Sequence, residues 1–220
     1  MQAYGNLKKV FFHNLNWCLF LHEVVGKVEI RLHTPGLIEK LFFLLSGMLV
    51  SVPFTLFVAG FSDYLCFVLP FFFAQICSTA IVTPFVEEFA KAYPLFYRHG
   101  ETKRSLFTMG FLVGLGFGLA EFLLYVFVLE ASLLVRLPGI FFHASSTSIV
   151  SYGISTKRPL RFYIVSVLLH FSINFSAILG VPAWYVGGAP AIGLTYLICL
   201  HLDQRLTKAG NITHAANASQ

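Results

Sequence analysis

Hydrophobic residues in this chain gather into long blocks, with uninterrupted runs such as Phe71-Phe72-Phe73 and Phe141-Phe142, instead of alternating with polar ones. About 20 consecutive apolar residues are needed to cross a hydrocarbon core. The sequence offers six such stretches, at roughly 38–60, 64–97, 106–129, 133–155, 160–180 and 183–202. The second is longer than a bilayer requires and contains Pro84 and Pro94, so it is expected to kink or to continue beyond the membrane. The pattern predicts an all-α, polytopic transmembrane helix bundle of about six spans over 38–202, with an interfacial segment over 1–37 before it and a tail over 203–220 after it. The apolar run of residues 10–25 is broken by His13, Asn14, Asn16, His22 and Glu23, which suits a surface-lying segment better than a signal peptide.

Composition agrees. The chain is 57% hydrophobic and 11% charged, with a mean hydropathy of +0.76, far from the balance of soluble domains. Charge adds an orientation, because Lys and Arg stay on the cytoplasmic side. Of the fifteen basic residues, all but Lys91 and Arg136 fall in the N-terminal segment, just inside the start of the first stretch (Lys40), at the 98–105 and 156–161 loops, or in the tail. Both termini are therefore expected in the cytoplasm of a cell-membrane protein, and the net charge of +5 reads as contact with an anionic leaflet and not with nucleic acid. The four cysteines stand singly, so neither a disulfide framework nor a metal knuckle is expected.

Ionisable groups inside spans cost about 2.5–3.5 kcal/mol each on insertion scales, and they are usually functional. Here they are Glu87, Glu88 and Lys91 on the second stretch, Glu121 on the third, His143 on the fourth and His170 on the fifth, with Asn174 one turn further. A helical rise of about 1.5 Å per residue places Glu87, Glu121, His143 and His170 roughly 15–24 Å from the cytoplasmic ends of their helices, which predicts one shared site. Glu87 and Lys91 are four residues apart, and Glu88 and Lys91 three. Both spacings allow contact, and the full turn from Glu87 is expected to make the ion pair, leaving Glu88 free to titrate. Gly110, Gly114, Gly116, Gly118 and Ala120 have the small-residue spacing that lets helices approach closely and brings Glu121 to the centre.

These residues resemble the PrsW family of intramembrane proteases, within the superfamily of CAAX prenyl proteases and bacteriocin-processing enzymes. The resemblance covers about residues 80–180. It rests on the EExxK block ending at Lys91, the GxGFxxxE block from Gly114 through Gly116 and Phe117 to Glu121 with Tyr125 following, His143, and the HxxxN block of His170 and Asn174. Phe122 stands where the family often has Asn, and Ile173 where it often has an aromatic residue. The resemblance implies an intramembrane endopeptidase acting on a membrane-anchored protein or peptide.

No Ser or Cys sits convincingly beside a base, since Ser145 and Ser146 follow His143 too closely to share its helix face. Carboxylate chemistry is preferred, in two forms. In one, His143 and His170 hold Zn²⁺ with one or two of Glu87, Glu88 and Glu121, Glu88 and Glu121 being the preferred pair, while a remaining Glu takes a proton from bound water. In the other, which is metal-free, Glu87 or Glu88 is the general base and His170 with Asn174 binds the oxyanion. A proton-coupled transporter or a membrane scaffold would also place such groups at mid-depth, but no duplicated halves are visible.

Overall fold

A computed structural model describes residues 34–97 and 102–218, with side chains to 209. The described residues hold helices and no strands. We label the helical stretches α1 (Leu37–Cys66), α2 (71–97), α3 (Lys103–Val128), α4 (Leu133–Ser155), α5 (Pro159–Ile178) and α6 (181–218). All but α2 are long and apolar enough to cross a membrane. In α2 the apolar run is diluted by Glu87, Glu88 and Lys91. The large side chains turned outward include Phe57, Phe67, Val68, Leu134 and Val186, a surface that suits lipid and not water. The apolar stretches of the sequence anticipate these helices, with two shifts: α2 begins only after the turn at 67–70, where Pro70 caps its first residue, and α6 runs on beyond 202.

Without a hydrophobic force between helices in lipid, close backbone approach does the packing. Gly110, Gly114 and Gly118 face α4: a Cβ on Gly114 would sit 2.1 Å from the His143 carbonyl oxygen, and one on Gly118 2.8 Å from Ile140 Cα. On another side of α3, a Cβ on Gly116 would sit 1.9 Å from the Leu44 carbonyl of α1. α3 is thus seated backbone to backbone against both neighbours. Two buried apolar clusters complete the bundle, one of Phe43, Leu95, Leu106, Met109 and Val113, the other of Phe107, Ile149, Cys199, Leu202 and Leu206.

The expectation about cysteines needs correction. Cys66 and Cys77 form a disulfide, and among the described residues Cys199 is free. The turn at 67–70 folds the end of α1 back beside the start of α2, so two cysteines that look unrelated in sequence become neighbours.

α2 is not one regular helix. Ile76–Val82 is a π-helical stretch, and Tyr93–Tyr97 is 3₁₀. The Thr83 amide bonds back five residues to the Ser78 carbonyl. In that register the Thr79 carbonyl would need the amide of residue 84, which is proline and has none. Asn174 Nδ2 on α5 donates to it instead, at 2.9 Å. The expected irregularity at Pro84 is present, and it is repaired from a neighbouring helix.

Candidate active site

Four helices deliver the ionisable groups to one cluster. Glu87, Glu88 and Lys91 come from the regular Thr83–Ala92 segment that follows the π-helical stretch. Glu121 lies near the end of the glycine face of α3, and His143 on the α4 surface that this face presses against. His170 and Asn174 share a face of α5, which is tied to α2 a second time by the Tyr163 hydroxyl donating to the Phe85 carbonyl at 2.8 Å.

Lys91 is fully buried and occupied on three sides. Its ammonium lies 2.7 Å from Glu88 Oε1, 2.9 Å from His143 Nδ1 and 3.4 Å from Ser146 Oγ. The ion pair is therefore with Glu88 and not, as the full-turn spacing suggests, with Glu87. The reason is direction: Glu88 and Lys91 both point into the sealed interior, each with no exposed surface, where α4 offers them His143 and Ser146. The same Glu88 oxygen takes His170 Nδ1 at 3.0 Å and the Ser146 hydroxyl at 3.3 Å. One carboxylate oxygen thus anchors three elements.

Glu87 differs in what it faces. Its Oε2, like Glu88 Oε2, is buried with no hydrogen-bond partner, but it lies 3.7 Å from His170 Nε2, on the side of the ring away from Glu88 Oε1. Because the Nδ1 side of His170 faces Glu88, a carboxylate fixes that ring from behind and leaves Nε2 facing Glu87, the arrangement by which outer carboxylates orient metal-binding histidines. Glu121 Oε2 lies 2.5 Å from His143 Nε2. The two imidazoles stand edge to face with centroids 5.4 Å apart.

Glu121, His143, His170 and Asn174 line a cavity with about 60 Å³ of room for water. That exceeds the roughly 10–15 Å³ that one molecule needs. Tyr125, Arg136 and Gly139 also line it. Of the residues singled out from sequence, Glu121, His143, His170 and Asn174 reach this cavity, Glu87 stands beside His170, and Glu88 and Lys91 form the sealed support behind. Asn174 spends one amide hydrogen on the α2 break. Sequence reasoning weighed Ser146 only as a nucleophile beside His143, and counted Arg136 only as a basic residue outside the cytoplasmic segments. Arg136 lies seven residues before His143 on α4, two turns away on the same face, and that periodicity was the available signal.

Donor atoms of Glu87, His143 and His170 lie within 4.8 Å of one another. The orphaned Glu87 oxygen beside a carboxylate-oriented imidazole is the feature that fits a metal, since a buried polar atom with no partner calls for one. The grouping has Glu87 where the sequence reading places Glu88, and it does not take in Glu121.

Comparisons with curated proteins and with solved structures each returned no match. The family model for PrsW family intramembrane metalloproteases matches residues 39–201, which take in every residue of the cluster. The chain belongs to that family and is a multi-pass membrane protease.

Proposed function

We propose that the chain hydrolyses a peptide bond in or near a membrane-anchored substrate with a water activated at the Glu87–His170 junction, as a metal-dependent enzyme of the cell membrane. The observation that carries this reading is the buried, unpartnered Glu87 oxygen facing an imidazole fixed from behind by Glu88. A divalent metal such as Zn²⁺ would be held by Glu87, His170 and, once its Nε2 gives up the proton it directs at Glu121, His143, and when bound it supplies a water deprotonated near neutral pH and polarises the scissile carbonyl. The protein's own contribution is positional. Glu88, pinned by Lys91 and Ser146, orients His170, and Lys91 fixes His143 through Nδ1. Glu121, on the cavity wall and paired with His143 Nε2, is the carboxylate placed to take a proton from the attacking water and pass it to the leaving amine. Asn174, at the same cavity, keeps one amide hydrogen for the substrate carbonyl.

Glu87→Gln should abolish cleavage of a single-span test substrate by purified protein in nanodiscs while leaving the melting temperature within a few degrees. A chelator should do the same, reversibly on adding Zn²⁺. Chelator-resistant cleavage that still depends on Glu87 would point to the metal-free form. Unimpaired Glu87→Gln removes the mechanism altogether.

An orientation with both termini cytoplasmic is supported by the basic loops and, for the side on which the α1–α2 turn lies, by the disulfide; it requires the less apolar α2 to cross along with the other five helices. Cys66 and Cys77 flank the 67–70 turn, at the end of α1 away from its predicted cytoplasmic start, and disulfides persist in oxidising compartments. In spheroplasts a membrane-impermeant reductant should free both thiols; protection from it would reverse the orientation.

A further inference from the structure

The cluster holds two cations in opposite circumstances. Lys91 is sealed and fully engaged. Arg136 is about a third exposed on the cavity wall, at the end of α4 next to the 129–132 turn, where charge balance puts the non-cytoplasmic side. Its guanidinium carbon lies 3.3 Å from the centroid of the Tyr125 ring, so an aromatic face backs its plane. The nearest carboxylate oxygen, Glu121 Oε1, is 4.0 Å away, beyond hydrogen-bond distance. Gly139, one turn further along α4 and also at the cavity, has open space where a Cβ would stand. A planar fork of N–H donors, held by a ring and bordering free space, is suited to a carboxylate.

We infer that Arg136 is a specificity residue that binds a carboxylate of the peptide substrate at the non-cytoplasmic mouth of the cavity, an inference that rests on the peptidase reading above. Seven residues of helix separate it from His143, about 10 Å by the helical rise, a distance an extended peptide covers in about three residues. The substrate class is therefore a peptide with an acidic side chain or a free terminal carboxylate within about three residues of the bond that is cut.

The test uses the full chain in nanodiscs carrying Glu87→Gln, so that binding is read without turnover. The probes are synthetic single-span peptides that differ only in three Asp or three Asn just outside the span on the non-cytoplasmic side, each made with a free and an amidated C-terminus. The Asp peptide should bind about tenfold more tightly or better, the scale of a charge-assisted hydrogen bond. Adding Arg136→Gln should erase that preference, and Arg136→Glu should turn it towards a Lys peptide. A preference that follows the free terminus and not Asp assigns the site to a terminal carboxylate. If Arg136→Gln does not fold, Arg136→Lys keeps the charge without the fork and should reduce the preference severalfold. A preference absent in the Arg136 protein, or untouched by these substitutions, overturns the inference. Failure of the peptidase reading shows separately, as absence of cleavage of either peptide by the protein with Glu87 intact.

Discussion

Two adjacent glutamates with nearly the same depth have different jobs, and the difference is one of partners. Glu88 accepts from Lys91, His170 and Ser146 on one oxygen, whereas Glu87 Oε2 has none. Removing one half of a buried ion pair strands the other charge, at a cost of about 3–5 kcal/mol. Glu88→Gln should therefore destabilise the protein by about that amount in a detergent unfolding titration, and Glu88→Gln with Lys91→Met should recover much of it. Glu87→Gln should cost little. If Glu87→Gln is the more damaging to stability, the roles are inverted. Sequence alone could establish that Lys91 neutralises one of the pair, because helical neighbours at three and four positions are both within reach. It could not say which, since the choice is made by His143 and Ser146, contributed by a helix more than fifty residues away.

At the scale of elements, the shared depth of Glu121, His143 and His170 was legible because a helix converts residue count into distance. The apolar blocks located the spans for the same reason. What periodicity could not reveal was the π-helical stretch before Pro84, or the use of Asn174 to satisfy the Thr79 carbonyl. Both arise from a missing amide whose remedy lies on another helix. The glycine spacing of α3 was readable as close approach, but not that it serves two neighbours at once. Gly114→Ala tests the tighter contact. Its methyl would meet the His143 carbonyl oxygen, which is backbone and cannot rotate away. Overpacking of this kind costs about 1–3 kcal/mol, and here it displaces the segment that carries His143. Activity should fall more than the melting temperature implies, as measured against Gly60→Ala on α1, whose methyl meets open space away from the cavity. Equal effects from the two would show that the α3–α4 contact does not position the site.

For the whole molecule, the seating of α3 bears on how a substrate travels. A helix pair in contact through its backbones along several turns behaves as a solid wall, since a transmembrane segment about 10 Å across can pass only by parting it over its whole length. α3 makes such walls with α1 and with α4. Beyond Leu123 the wall changes character: Leu124–Val128 is π-helical and none of it is buried. Phe122 from α3 and Ile192 from α6 both line the cavity. Substrate entry is therefore expected away from these two seams, and we predict the flank between the far end of α3 and α6 as the route, with those two side chains as its leaves. Joining Phe122→Cys to Ile192→Cys with a reversible crosslinker should halt turnover of a membrane-embedded peptide and spare that of a short soluble one, with reduction restoring the first; undiminished turnover in the crosslinked protein would put the doorway elsewhere.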